Sequence, residues 1–255
     1  MIFTGFATGI ITGFIGASAA VIMTPVFALF LGYPAYLAVG ISLGADVFAS
    51  LVSSLSYFRH KNVNLKDGLP MIGAAVLGAV FGSFFSNSIA GPFIIFGTNI
   101  FVLFLGIQLL RKPIHLLAEE LNEKWDFRFF EKRRALFSVI IGFVLGILAG
   151  VFGGGGGLMI FLVLVFVLKY SVKVAVGTSV FLMIFVALFG SLSHFYYASV
   201  QAPYAALAVS SIGSVIGALL SSRYANLISE EKLSKIIGLI IFVLGIFLLL
   251  KYFFE

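Results

Sequence analysis

Apolar residues along this chain do not alternate with polar ones as they would on a half-buried strand, nor do they form one stripe of a helix. They continue for 18 residues or more and stop at short polar interruptions, over 2–31, 34–58, 68–85 and 93–110, and again over 137–168, 172–197, 203–220 and 233–252. Runs of this length match the ~20 residues that a helix needs to cross a hydrocarbon layer of ~30 Å. A charged stretch, 111–134, separates the first four runs from the second four. Within it Leu117, Leu121 and Trp125 recur every four residues, the spacing of an amphipathic helix at headgroup level, and equally that of a solvated linker.

The two sets of runs share one grammar. At a shift of 137, Gly5, Gly9, Gly13 and Gly16 meet Gly142, Gly146, Gly150 and Gly153, and Ala38-Val39-Gly40 meets Ala175-Val176-Gly177. Between Gly5 and Phe58 there are 19 identities in 54 positions, too many for biased composition alone, so the halves share an ancestor. Further along, Gly78 and Gly82 align with Gly213 and Gly217 at a shift of 135, and Gly106 with Gly245 at 139.

The first run of each half is broken. A straight helix over 2–31 would be about 45 Å long at ~1.5 Å per residue, well beyond the membrane core. Its counterpart contains five consecutive glycines, Gly153, Gly154, Gly155, Gly156 and Gly157, each costing about 1 kcal/mol relative to alanine in a helix. Two half-helices are therefore expected, one ending near Gly13 to Gly16 (Gly150 to Gly153) and the next starting near Ser18 (Gly155). Irregular backbone at that depth is tolerated only inside protein or beside a wet cavity, so the break itself points to a site. If the segment folds back, each half crosses an odd number of times and the halves are inverted. Then 15 of the 16 Lys and Arg residues lie on the cytoplasmic side and Lys251 alone lies outside, as the positive-inside rule asks.

The expected fold is thus an all-α membrane protein of two inverted repeats, each a broken or re-entrant Gly-rich helical hairpin followed by three transmembrane helices. The first repeat covers 1–110, a charged cytoplasmic linker 111–135, and the second repeat 136–255.

Composition sharpens this. Of 255 residues 61% are hydrophobic and 10% charged, and mean hydropathy is +1.17, which excludes an ordinary soluble domain. The net charge of +6 comes from bases flanking apolar runs rather than lining a groove, so no nucleic-acid partner is expected. Cysteine is absent and the three histidines have no ligand spacing, so neither a metal nor another cofactor is expected. Gly-x-Ser-x-Gly and His-Glu-x-x-His signatures are also missing, and no catalytic residue is assigned.

No Lys or Arg falls inside a predicted hydrophobic core, which leaves the backbone N–H groups of half-helix N-termini as the main positive feature for a buried ligand. That favours a small hydrogen-bonding oxyanion, and discontinuous helices meeting at the midplane of inverted repeats are a design of secondary transporters. Substrate contacts are expected at Gly16, Ala17 and Ser18, at Gly153 to Gly157, and at the hydroxyls of Ser42, Thr178 and Ser179. For those three the alternative is a bond back to the i−4 carbonyl. Asp46 is the one acid outside loops, linker and C-terminus; with Ser42, Ser50 and Ser53 on its helical face it is read as a proton-coupling or gating carboxylate, against a neutral packing role. His194 is expected near the outer interface in a hydrogen-bonding role, Asn87 and Asn99 in loops or caps, and the Gly78–Gly82 and Gly213–Gly217 pairs at close helix contacts.

The doubled pattern GFxxGxxxGxxG (Gly5 to Gly16, Gly142 to Gly153), followed in each half by AVGxS (Ala38 to Ser42, Ala175 to Ser179), resembles the sulfite exporter TauE/SafE family of membrane permeases over essentially the whole chain. The resemblance implies movement of sulfite, thiosulfate or an organosulfonate across the plasma membrane. One departure is that the first turn reads GASAA where the second reads GGGGG, so the two turns are not equivalent. The partners implied are a small anionic solute and the lipid bilayer, with homo-oligomer formation left open. The alternatives are a passive anion channel, a cation-coupled carrier for another solute, and a non-transporting accessory protein.

Overall fold

Long apolar runs bury their own backbone polar groups only by closing helical hydrogen bonds, and among the described residues every regular element is a helix. The computed structural model describes residues 1–18, 20–86, 107, 110–112, 134–152, 155–197 and 203–254. The first half contains α1 (Ile2–Ile15), α2 (Ala20–Phe30), α3 (Ala35–Arg59) and α4 (Leu65–Ser86). The second contains α5 (Arg134–Phe152), α6 (Gly155–Phe166), α7 (Val172–Tyr197), α8 (Tyr204–Leu227) and α9 (Glu230–Phe254). Most of the run 93–110, the amphipathic stretch around Leu121, Asn87, Asn99, Gly153 and Gly154 lie outside the described residues.

The first Gly-rich run is broken where expected: α1 stops at Ile15 and α2 starts at Ala20. In the second run the described helices α5 and α6 end at Phe152 and begin at Gly155, on either side of Gly153 and Gly154. With 14 residues α1 is about 21 Å long, too short to cross a ~30 Å core by itself. By contrast α3, α7 and α8 are long and apolar enough to cross a membrane. Helices also continue past the apolar runs: α8 proceeds through Arg223 to Leu227, and α4 starts at Leu65, ahead of Pro70. Hydropathy marks only the part of a helix in the hydrocarbon, whereas backbone hydrogen bonding continues into the headgroup layer.

The helices pack across the halves. The largest contacts of α1 are with α8, and those of α5 are with α4, while α3 and α7 cross at the centre. Glycines make this approach feasible: a Cβ on Gly5 or Gly9 would strike the backbone of Ser210 or Ser214, and one on Gly146 or Gly150 that of Ala75 or Ala79. Lipid offers no hydrophobic drive between helices, so small inner residues and close backbone packing hold such bundles together. Accordingly Phe81, Phe84, Leu192 and Leu220 face outward, while the inner faces carry Gly, Ala and Ser.

Contact order gives the directions. Along α1 and α8 it rises together, from Gly5 on Ser210 to Gly13 on Ser222, so these helices are parallel. Helix α8 is parallel to α3 as well, with Ser214 bonded to Ala45 and Asn62 to Asn226. Helix α2 runs the other way along α3, through the Thr24–Ser42 bond and a tight turn in which Tyr33 N–H donates to Phe27 C=O. The chain therefore folds back between α1 and α2. A matching turn follows α6, where Tyr170 N–H donates to Leu164 C=O. Helices α3 and α7, equivalent by sequence, are antiparallel: Gly40 lies against His194, Gly177 against Tyr57.

One alignment needs correction. Gly78 faces Phe143 and Ile147, and Gly217 faces Phe6 and Ile10, which are the same positions at a shift of 137. Gly78 thus corresponds to Gly217, a shift of 139 rather than 135, one helical turn from the glycine match made by sequence.

Candidate functional site

A helix that stops inside protein leaves its last carbonyls and the first N–H groups of the next helix without intrahelical partners. At the end of α1, Gly16 adopts a left-handed conformation, φ 68°, and its N–H donates to Thr12 C=O. This conformation costs a residue with a Cβ about 1–2 kcal/mol. The Gly13 carbonyl is closed by a side chain from the central helix: Tyr57 Oη donates to it at 2.9 Å. In the second half the Gly150 carbonyl accepts from His194 Nε2 at 3.1 Å. Tyr57 and His194 are equivalent at a shift of 137, as are Gly13 and Gly150. The equivalent carbonyl is therefore met in both halves, by different chemistry.

His194 hydrogen-bonds and is wholly buried, in the last turn of α7, with its ring 4.2 Å from that of Tyr36. The cause is packing: α7 brings it against the end of α5.

The first turn is closed further by Ser179, whose hydroxyl lies 3.1 Å from the Gly16 carbonyl and 2.9 Å from that of Val176. Ser18 accepts from Ala20 N–H at 3.3 Å and so caps the start of α2. Ala17 and Ser18 are buried, and a Cβ on Gly157 would strike the backbone N of Ser18. Gly157, in the first turn of α6, thus lies against Ala17 and Ser18, bringing the start of α6 beside the residues that lead into α2. Two helix N-termini carry partial charges of about +0.5 each, which repel unless something negative lies between them.

The remaining predicted residues lie on α3, α6 and α7. Ser42 is buried, donates to Ala38 C=O at 2.7 Å and accepts from Thr24 at 3.2 Å. Thr178 accepts from Asn64 N–H at 3.0 Å. The hydroxyl hydrogen of Ser42 thus serves its i−4 carbonyl, while that of Ser179 serves the carbonyl of Gly16 or of Val176 at i−3. Gly155 and Gly156 open α6. Asp46 sits one turn beyond Ser42, wholly buried, and accepts from Thr12 Oγ1 at 3.0 Å.

Sequence reasoning missed Thr12 as the Asp46 donor and Tyr57 as a carbonyl cap. Signals existed: Thr8 and Thr12 lie on one face of α1, and Tyr57 and His194 are aligned polar residues in otherwise apolar stretches.

The model of the family described as Sulfite exporter TauE/SafE matches residues 1–248. A curated relative, the "Probable membrane transporter protein YdhB" of Bacillus subtilis (strain 168), is 33% identical over 115 residues. That alignment covers 45% of this chain and 46% of the relative, so just under half of each is matched. No solved structure matches.

Proposed function

Since the chain belongs to the sulfite exporter TauE/SafE family and lies in a membrane, we propose that it is a secondary transporter moving a small sulfur-containing oxyanion, such as sulfite, thiosulfate or an organosulfonate, across the plasma membrane. The observation that carries this reading is the contact between the first turn and the start of α6, Gly157 against Ala17 and Ser18. An oxyanion seated there is held by N–H groups of Ser18 and the start of α2 on one side and of Gly155 to Gly157 on the other, with Gly16, Ser42, Thr178 and Ser179 around it. Backbone donors suit such a ligand: they supply hydrogen bonds and partial positive charge without the cost of burying a cation.

Alternating access through inverted halves accompanies this proposal. Its support is that α3 and α7, equivalent in sequence, run antiparallel, and that α1 and α2 fold back. An inverted pair has two equivalent arrangements, one open to each side, and exchange between them carries the site across. Asp46 is assigned the coupling role, as a buried acid adjoining this site on α3.

Uptake of radiolabelled sulfite and thiosulfate by proteoliposomes tests the proposal. Gly155→Val and Gly156→Val should each abolish flux while the protein remains membrane-embedded and monodisperse. Undiminished flux in both variants overturns the glycine-turn site, and absence of flux from wild type with every sulfur oxyanion points to an accessory protein.

A further inference from the structure

The helices form two equivalent bundles, α1 with α3 and α8, and α5 with α7 and α4. Their chemistry differs sharply. Thr8, Thr12, Asp46, Ser50 and Ser53 are all buried in the first bundle. The equivalent positions of the second are Leu145, Ala149, Met183, Ala187 and Gly190, none with a hydrogen-bonding side chain. On the third helix Ser214 and Ser221 stand where the second bundle has Ala75 and Gly82; Ser222 keeps a counterpart in Ser83. At these positions, Ser222 and Ser83 apart, one bundle carries hydroxyls and a carboxylate where its twin carries apolar residues; the buried polar groups of the twin, Ser138, Thr178, Ser179, Ser191 and His194, stand elsewhere on its helices.

These groups line up. Asp46, Ser50, Ser53 and Tyr57 share one face of α3 at i, i+4, i+7 and i+11. That face looks onto α1, because its two ends are bonded there: Asp46 to Thr12 and Tyr57 to Gly13. Ser50 and Ser53 lie between these bonds, wholly buried, and their hydroxyls have no hydrogen-bond partner among the described residues; the same holds for Ser222 on α8. Buried hydroxyls without partners are costly unless water reaches them. Past Ser222 the row ends at Asn226, whose side chain accepts from Asn62 at 2.7 Å and whose carbonyl accepts from Lys173 at 2.9 Å. Arg59 and Lys61, at the C-terminal end of α3, and Arg223, in the last turns of the parallel α8, lie toward this end as well.

We propose that this hydroxyl column is a hydrated proton path, by which Asp46 exchanges one proton with the basic end of the protein, and that coupling chemistry is confined to this bundle. The carboxylate takes a proton from column water to become a neutral carboxyl and returns it by the same route; no bond other than O–H is made or broken. A dehydrated metal cation is a poorer fit, because it needs its oxygens gathered around one point. Here they are spread along ~10 Å of helix between Asp46 and Ser53. No other titratable side chain competes on the packed faces. Helices α1 and α2 carry none, those of α8 (Tyr204, Arg223, Tyr224) are exposed, and those of α7 (Lys173, His194, Tyr196, Tyr197) lie near its two ends. On α3 itself the others are Tyr36, Tyr57 and Arg59, at its ends.

The idea deepens the coupling role given to Asp46 but is tested first without any substrate. Purified protein in lipid is moved into D2O across a pH series, and the carboxyl stretch that disappears in Asp46→Asn is followed by infrared spectroscopy. Combined Ser50→Ala, Ser53→Ala and Ser222→Ala should slow exchange at this carboxyl at least tenfold, whereas Ser138→Ala, at a buried hydroxyl of α5, should leave it unchanged. Unaltered exchange in the triple variant, equal slowing by Ser138→Ala, or no band lost in Asp46→Asn overturns the proposal. In a second arm, sulfite-driven proton movement into dye-loaded proteoliposomes should vanish in Asp46→Asn. If wild type moves no sulfite while exchange behaves as expected, the transport reading fails and the proton path stands.

Discussion

Replacing Tyr57 by Phe isolates one atom at the first glycine turn. The ring is retained, so packing against α1 and Gly177 is kept and no cavity larger than a hydroxyl opens. What is lost is the 2.9 Å bond that satisfies the Gly13 carbonyl. Helix α1 ends at Ile15, so no intrahelical N–H replaces it, and both partners are wholly buried. An orphaned buried carbonyl costs about 1–3 kcal/mol. Measured side-chain hydrogen bonds within membranes average nearer ~0.6 kcal/mol, because the disordered state finds partners as well. A loss of about 1–2 kcal/mol is the reasoned value. Tyr36→Phe is the internal standard, since its 3.2 Å bond to the Ser83 carbonyl is only partly buried and water can substitute; its loss should stay below ~1 kcal/mol. Reversible unfolding in detergent, run beside initial rates of sulfite uptake, separates the two variants. Tyr57→Phe should be the less stable and should lower uptake several-fold, because the turn it steadies presents the donors. Equal stability of the two variants with wild-type uptake in both would refute the assignment of Tyr57 as the cap on which the turn depends.

Three further outcomes are expected. Gly9→Val drives a side chain into the Ser214 backbone and should prevent α1 from seating on α8, read as loss of monodisperse protein, whereas Gly73→Ala, which meets nothing within 4 Å, should stabilise by about 0.5–1 kcal/mol through helix propensity. Gly16→Ala combines a left-handed φ of 68° with a collision against Ser179, and should cost at least ~2 kcal/mol in detergent unfolding as well as most of the uptake rate. Thr12→Val removes the hydroxyl that donates to Asp46 while keeping shape; it should leave sulfite counterflow measurable but shift its pH dependence, and an unmoved profile would detach Thr12 from the carboxylate.

Much of the architecture was legible because lipid imposes few solutions. Long apolar runs have to be helices, five glycines in a row make an unbroken one costly, and an internal repeat shows up as matched glycines whatever surrounds it. The left-handed end at Gly16 and the restart at Ala20 were therefore foreseeable to within a residue or two. Asp46 was visible as well, as a charge where charge is costly. Ser42 and Ser179 were visible only as hydroxyls: which way each donates depends on carbonyls brought from elsewhere in the bundle.

What the chain dictates by itself is the list of helices, the places where two of them break, and the likeness of the halves, since these follow from hydropathy, glycine content and repetition. Partner choice belongs to the tertiary structure. Nothing local says that α1 seats on α8 and α5 on α4. Nor can a glycine spaced every fourth residue fix register, because sliding such a pattern by one turn leaves it unchanged; only the contacts of Gly78 with Ile147 and of Gly217 with Ile10 select 139 over 135. The same packing decides that Tyr57 and His194 close equivalent carbonyls, and that Asp46, Ser50 and Ser53 are buried where the equivalent positions of the other bundle are Met183, Ala187 and Gly190. Close-packed backbones in lipid are chosen by three-dimensional fit, which no one-dimensional period contains.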